Sequence, residues 1–458
     1  MTNSGDRPEH KGRSLMIVSG DHSGEKHASK IIKQLKEQDP DLHIWGAGGP
    51  EMEKAGMELL FNSSEFTVLG IFEVIGYIWF FTKMHWTLLV NMIERQPDAI
   101  LLVDFGGFNV GFATSARAIM PKADSDKSSE KKFTLLEYIL WPMEFVQNRF
   151  ADLMRAIGFN YLKWHGTRKT SRAIPIYYFI SPQVWGSRPW RINVLRRAVS
   201  KILTIFPFEE GVYLNKNVNA RFVGNPLLRA LPDLATLPDR EELCQSLNLD
   251  PSRPIIVVMP GSRKQEIVAH MPVVAHAVKT LLRVRPNIQF VLSKATAKVS
   301  GYVDDCLKSC QMEALVGNGL TVVDSSRNFE LMKNCDLLWA KSGTTTLEAT
   351  LFGKPMIIFY RGNWFSYLLV MVFKSVKHFG WPNLLAGHEL VPELIQLDCR
   401  GEMLVKYSLD LLDVPALRAE IALELLTLRH ELGQGDFVEN CSQELLAVVS
   451  KDDRFKNE

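Results

Sequence analysis

The sequence predicts an α/β protein made of two parallel-sheet domains. Short apolar runs that suit buried strands recur through both halves, each followed by a polar or glycine-bearing turn and an apolar-periodic helix. Residues 231–250, a Pro- and Asp-rich opening with one polar helix, divide the halves and read as a linker. The 458 residues are 46% apolar and 23% charged, which is ordinary globular composition with length for two cores.

In chain order, residues 1–14 read as a disordered polar tail without the apolar core of a signal peptide. The N-terminal domain is expected over 15–228. Residues 15–19 form a strand that delivers Gly20-Asp21-His22-Ser23-Gly24-Glu25, and a helix follows with Ile31, Ile32 and Leu35 on one face. A second strand near 43–45 ends in Gly46-Ala47-Gly48-Gly49-Pro50. Residues 66–81 carry a single charge, Glu73, and fall short of the roughly 20 apolar residues that span a bilayer. They read as a core helix or, with Trp79, Lys83, His85 and Trp86 at their end, as an interfacial element.

Pro97-Asp98 introduces a strand over 99–103 that ends at Asp104, where α/β sheets place their ligands. A cap or turn residue is the plainer role for Asp104. Residues 111–173 break the rhythm: 121–132 is a polar loop, and Ile139, Met143, Val146, Phe150, Leu153 and Ile157 mark an amphipathic helix. Strands over 176–180, 201–205 and 221–223 complete the domain. The first is followed by Ser181-Pro182-Gln183-Val184-Trp185 and a run of arginines that includes Arg188.

The second domain, 229–365, opens with a strand over 255–259 and the turn Pro260-Gly261-Ser262-Arg263. Further strands fall at 289–293, 321–323, 337–340 and 356–360. Between the last two, Ser342-Gly343-Thr344-Thr345-Thr346 leads into a helix expected from about Leu347. Such a turn presents N–H groups and hydroxyls where anions bind, and Glu348 one turn inside can accept from a ribose diol. It is equally an ordinary crossover with a Ser/Thr cap. Residues 366–450 form a C-terminal helical segment, and 451–458 are a charged end.

The net charge of +2 implies no general attraction to nucleic acid. The six cysteines are scattered without a histidine to complete a zinc set, and read as reduced thiols in a cytoplasmic protein. The absence of HExxH, P-loop, CxxC and GxSxG patterns argues against zinc hydrolase, ATPase, redox and esterase chemistry. No DxD pair stands at a strand end, so no metal or other cofactor is expected. Two Rossmann-like halves with phosphate-capable turns suggest a sugar-nucleotide enzyme of the GT-B type, with its ligand in the cleft between domains. In it, Arg263 and helix N-termini would neutralise a leaving diphosphate.

Nine ordered blocks carry a family resemblance. They are VSGDHSGEKHA (18–28), WGAGGPEMEKAGMELL (45–60), FTVLGIFEVIG (66–76), ISPQVWGSRPWRI (180–192), FPFEEGVY (206–213), FVGNPL (222–227), MPGSRKQEI (259–267), SGTTTLEATLFGKPMII (342–358) and WPNLLAGHELVPELIQ (381–396). Together they resemble the lipid-A-disaccharide synthases, glycosyltransferase family 19, over about 15–440 except 111–173. The resemblance implies an inverting, metal-independent GT-B transferase. It would join UDP-2,3-diacylglucosamine (UDP-diacylglucosamine) to 2,3-diacylglucosamine 1-phosphate (diacylglucosamine 1-phosphate), giving the β-linked lipid A disaccharide 1-phosphate and UDP.

By the same resemblance, Asp104 is the general base. Gly261, Ser262 and Arg263 hold uridine diphosphate, with Thr344, Thr345 and Glu348 on phosphate and ribose, and Asn383 completes the donor site. Asp21, Ser23, Glu25, Gln183 and Arg188 belong to the acceptor side. Val68, Leu69, Ile71, Phe72 and Ile75 match a membrane-contacting patch, which implies a cytoplasmic protein peripheral on the inner-membrane surface. The C-terminal segment either packs back or exchanges between subunits of a possible homodimer.

The chain departs from the family pattern in four places. Asp21 and Glu25 are swapped, Gly106-Gly107 replaces Pro-Asp, Ser187 replaces an aromatic, and His388 replaces an arginine. They cluster on the acceptor side and leave two alternatives: another GT-B transferase or epimerase, and a non-catalytic paralogue that binds sugar nucleotide or lipid. A third alternative is a membrane protein that spans with 66–90. The 111–173 segment, directly after the Asp104 loop, is expected to add a membrane or acceptor contact.

Overall fold

The computed structural model describes residues 12–20, 22–62, 73–121, 170–186, 191–294, 297–362, 367, 376–433 and 435–450. Most of the polar tail, the expected amphipathic helix, residues 66–72 of the apolar patch, Asp21, Arg188 and the apolar run at 368–373 lie outside the described residues. The chain divides into two compact units, Met1–Pro226 with Gly435–Glu458, and Leu227–Gln434.

The first unit holds seven strands: β1 (Ser14–Ser19), β2 (His43–Gly48), β3 (Glu58–Asn62), β4 (Ala99–Val103), β5 (Ile176–Phe179), β6 (Lys201–Thr204) and β7 (Ala220–Phe222). They form one sheet in the order β3-β2-β1-β4-β5-β6-β7. Every pairing is parallel. Successive side chains alternate between faces, so each strand serves two cores. Met16, Val18, Ile100 and Leu102 pack on one side with the helices Glu73–Arg95 and Gly106–Ala118. Leu15, Ile17, Leu101 and Val103 pack on the other with the helices His22–Gln38 and Phe437–Val449.

The second unit repeats the design. Its strands are β8 (Ile255–Met259), β9 (Gln289–Lys294), β10 (Leu320–Asp324), β11 (Leu337–Lys341), β12 (Met356–Tyr360) and β13 (Glu393–Ile395). The order is β10-β9-β8-β11-β12-β13, again all parallel. Read from its own first strand, each sheet runs 3-2-1-4-5-6, the doubly wound order, and the first sheet adds a seventh strand at its edge. Both α/β sheets of the expected GT-B class are present. In each, the chain reverses direction across the sheet between two adjacent strands, β1 and β4 or β8 and β11.

The sequence reading missed β3 and β13. Both are short edge strands, and β3 has no fully buried residue, so neither writes an apolar run into the chain. The 231–250 stretch is not a free linker. The helix Arg240–Leu247 buries Leu243 and Cys244 in the second core, and Arg240 donates to Asn334 O, Arg253 O and Asp336. Residues 111–118 belong to the helix Gly106–Ala118, whose Phe112, Ala113 and Ala116 are buried. Three glycines in its first six residues disguise it in the sequence. In the helix Glu73–Arg95, Met84, Leu88, Leu89 and Met92 are buried, so its C-terminal half is core.

The last helix, Phe437–Val449, crosses back to the first unit. Phe437 stacks on Phe179 of β5 at 5.6 Å, and His27 meets the Phe437 ring edge-on at 5.8 Å. Glu444 accepts from Lys201 and Arg221 on β6 and β7. Asn440 Nδ2 donates to Val223 O at 3.0 Å. Phe437→Ala is expected to destabilise the first unit by about 3–5 kcal/mol through the cavity it leaves. Denaturant unfolding followed by far-UV circular dichroism checks this, and an unchanged midpoint would show that the helix adds no core.

Candidate functional site

In the first unit the polar groups gather at the carboxyl ends of β1 and β4. Asp104 follows β4 directly and is partly exposed. Asp104 and Phe105 both adopt left-handed backbone, with φ of 47° and 54°. Non-glycine residues take that conformation at a cost, so the surroundings must hold it. Asn109, fully buried, donates its amide to Asp104 O at 2.9 Å, Val103 O at 3.2 Å and Val18 O at 3.3 Å. The amide thus ties β1 to β4 at the reversal point. Tyr178 donates its hydroxyl to Asp104 O at 2.9 Å. Phe105 lies across Gly20, where a Cβ would come within 2.3 Å of the ring, so the β1 turn has room only for glycine.

The remaining acceptor-side residues separate. Ser23 is exposed in the first turn of its helix, and Gln183 is exposed on the loop after β5. Glu25 stands in the first helix of the unit, His22–Gln38. It is 5% exposed, and its Oε1 accepts from Glu51 N at 2.8 Å. It thereby caps the short helix Pro50–Lys54 after β2, and its carboxylate fills the space a Cβ on Gly49 would need.

Glu209, absent from the sequence reading as a site residue, anchors the loop that carries Gln183. It accepts from Trp185 Nε1 at 2.8 Å, Phe206 N at 3.2 Å and Ile205 N at 3.3 Å. Tyr213 secures the same loop through Ser181 Oγ at 2.7 Å and Pro182 O at 3.1 Å. Pro182 in turn lies against Gly106, where a Cβ would sit 2.9 Å from its Cγ.

In the second unit the turns after β8 and β11 stand side by side at the reversal point. Gly261 has φ of 131°, and Ser262 and Arg263 are exposed, Arg263 at 83%. Glu266, one turn into the helix Lys264–Val284, reaches back and accepts from Ser262 N at 3.1 Å. It also pairs with Lys341 at 3.0 Å, while Arg263 stands at 4.0 Å. Burial raises the Glu266 pKa, but Lys341, Ser262 N and Arg263 outweigh it and the net shift is downward. The Ser262 N–H is therefore occupied, and its hydroxyl and the Arg263 guanidinium are the groups exposed to solvent.

The helix after β11 starts at Thr344, three residues earlier than expected, because Thr346 Oγ1 turns back to Gly343 O at 2.8 Å. Thr344 is exposed and Thr345 is half-buried. Glu348 is half-buried too, and burial pushes its carboxyl pKa up.

Asn383 stands in the short helix Trp381–Ala386, before β13. It is fully buried, and its amide is consumed by the chain. Nδ2 donates to Val391 O at 2.8 Å and Glu393 Oε1 at 2.9 Å, while Oδ1 accepts from Leu390 N and Val391 N, both at 2.9 Å. It shapes the turn before β13. Glu393 accepts from Phe379 N and Gly380 N, each at 2.9 Å. His270, fully buried, accepts from Arg361 N at 2.9 Å through Nε2, so Nδ1 carries the proton given to Pro260 O at 2.6 Å. That neutral tautomer joins the turns after β8 and β12, and burial keeps its pKa low.

Sequence reasoning missed Asn109, Glu209, Glu266, His270 and Lys341. Each had one available signal: a polar residue inside an apolar stretch, or a charge at a strand end. Burial pushes the Glu209 carboxyl up to about 7 from an ordinary 4.5, while its N–H donors oppose the shift. A raised folded pKa stabilises fully below pH 4.5, and that stability is lost as the pH rises through about 7. The group contributes about 3 kcal/mol over this window. Glu209→Gln is expected to flatten the fall of thermal midpoint between pH 4.5 and 7. Parallel midpoint curves for the two proteins would refute it.

The sequence profile of a family described as lipid-A-disaccharide synthetase matches residues 15–124 and 146–424. The lipid-A-disaccharide synthase of Geobacter sulfurreducens is 30% identical over 443 residues, covering 96% of this chain and 97% of that protein. Lipid-A-disaccharide synthase 1 of Legionella pneumophila strain Philadelphia 1 is 31% identical and covers 86% of each. Two solved structures share the fold at low identity. A glycosyltransferase of kitacinnamycin has a TM-score of 0.51 at 13% identity, covering 96% of this chain and 100% of its own. A putative UDP-N-acetylglucosamine 2-epimerase from Listeria monocytogenes has a TM-score of 0.50 at 12% identity, covering 97% and 98%. The profile match also includes 111–124 and 146–173, which narrows the unmatched internal segment to 125–145. A doubly wound pair of GT-B sheets, polar groups at both reversal points, and a profile match across almost the whole length agree: the chain belongs to the lipid-A-disaccharide synthetase family.

Proposed function

We propose that this chain is an inverting glycosyltransferase that joins UDP-2,3-diacylglucosamine to 2,3-diacylglucosamine 1-phosphate, releasing UDP. The observation that carries this reading is the placement of its groups. A carboxylate, Asp104, stands at the reversal point of one sheet. Exposed Arg263 and the Ser342–Thr346 turn stand at that of the other. Asp104 takes the proton from the acceptor's primary hydroxyl as its oxygen bonds to the donor's anomeric carbon. The bond from that carbon to the diphosphate oxygen breaks from the opposite face, which inverts the configuration. Arg263, the Ser262 hydroxyl and the N–H groups at Thr344 and Thr345 receive the charge that gathers on UDP. Glu348 accepts from the ribose hydroxyls.

The substrates' acyl chains bring the protein to a membrane surface as a peripheral protein, with Ile75 and the neighbouring apolar residues 66–72 as the contact. A homodimer fits the same reading.

Purified protein given both diacylated sugars is expected to release UDP. Asp104→Asn is expected to lower kcat by about 10²–10⁴-fold while UDP affinity stays unchanged. Release unaffected by the substitution would remove Asp104 from its role, and no release by wild type with any acyl length would overturn the enzyme. Salt or carbonate washing is expected to free the protein from membranes, and retention in the membrane would overturn the peripheral reading.

A further inference from the structure

The turns of the second unit hold a cation that neither the family comparison nor the sequence reading assigned. Lys341 is the last residue of β11, immediately before the Ser342–Thr346 turn. Its side chain is 21% exposed, and its Nζ lies 3.0 Å from Glu266 Oε1. It also passes close beside the turn: a Cβ on Gly343 would come within 3.0 Å of Nζ. On the other side, a Cβ on Gly261 would come within 2.7 Å of Glu266 Oε2. Glycine in each turn, with φ of 131° at Gly261 and 155° at Gly343, thus leaves the space through which the ion pair bridges β8 and β11.

We propose that Lys341 is a second cationic ligand for the donor's diphosphate, alongside Arg263. This rests on the reading of the second unit as a nucleotide-sugar site. Glu266 takes one of the three N–H donors of the ammonium, so Lys341 can grip a phosphate oxygen without leaving its partner. The cluster's own charges are +1 for Arg263, +1 for Lys341 and −1 for Glu266, a sum of +1 that suits a polyanion. Glu266 sets where the ammonium points, and its second oxygen holds the Ser262 N–H. Arg263 supplies a mobile guanidinium; Lys341 supplies a fixed point charge set between the two turns.

Titration calorimetry on the full chain with UDP, UMP and uridine tests this. Lys341→Met is expected to weaken UDP binding by about 10- to 100-fold and leave uridine binding unchanged. Lys341→Gln keeps a donor for Glu266 without the charge and is expected to behave the same way, which covers a Met variant that fails to fold. Glu266→Gln retains an acceptor for Ser262 N but loses the charge that orients the ammonium, and is expected to weaken UDP binding less than the Lys341 variants do, with uridine binding unchanged. Wild-type UDP affinity in both Lys341 variants would overturn the proposal alone. Equal losses of UDP and uridine in the Lys341 and Glu266 variants would overturn it in favour of a pair that only shapes the turns. Wild-type protein that binds neither UDP nor uridine would overturn the nucleotide-sugar reading and the proposal with it.

Discussion

The reversal of strand order beside the first strand of each sheet is the constraint from which the candidate site follows. On either side of that point the crossover helices run to opposite faces, so two neighbouring strands end with no helix covering them. Their last carbonyls, and the turns they feed, still need partners. The two units meet that need differently. Between β1 and β4 a neutral amide, Asn109, spans the gap by donating to three carbonyls. Between β8 and β11 an ion pair, Glu266 with Lys341, spans it instead. The difference matches the chemistry proposed for each side. A leaving diphosphate needs positive charge close by.

Carboxylates do much of the remaining positioning. Glu25 caps the helix after β2, Glu209 gathers the loop after β5, Glu266 holds the turn after β8, and Glu393 ties residues 379–380 to the turn before β13. Glu25, Glu209 and Glu266 follow the carboxyl ends of strands and Glu393 opens β13, next to loops that are irregular and leave backbone N–H groups unmatched. A carboxylate accepts several of them at once and makes charge-assisted bonds. Burial opposes the charge, and the N–H donors offset that cost only where they converge. Glu209, with three donors and almost no exposure, still carries a raised pKa.

This is why the fold was legible in the sequence and the division of labour within the site was not. Strands such as Ile255–Met259 and Met356–Tyr360 announce themselves as unbroken apolar runs, because both faces of a parallel strand are buried. The turns that follow carry glycine and hydroxyl residues, so the polar turns at the strand ends were legible too. A glutamate in such a turn has the same letter whether it faces solvent or caps a helix. Glu25 and Asn383 were placed in the site from the blocks they occupy, and the letters alone did not show that their side chains hold Glu51 N and the 390–391 backbone. The return of the Phe437–Val449 helix to the first sheet was equally hidden. An amphipathic pattern says that a helix packs, and not which surface receives it.

Glu348 stands apart from these carboxylates. It is half-buried one turn into its helix, and among the described residues no donor reaches its side chain. Burial alone moves its pKa, and moves it up. A carboxylate placed this way is destabilised as an anion until a donor arrives. Two adjacent hydroxyls on one ring supply two donors at the spacing of the two carboxylate oxygens. Under the proposed function a bound ribose would restore the charged form, and a sugar lacking the diol would not. Among the described residues Glu25, Glu209, Glu266 and Glu393 each hold backbone N–H donors and Glu348 holds none, which is the physical ground for proposing it as the ribose contact.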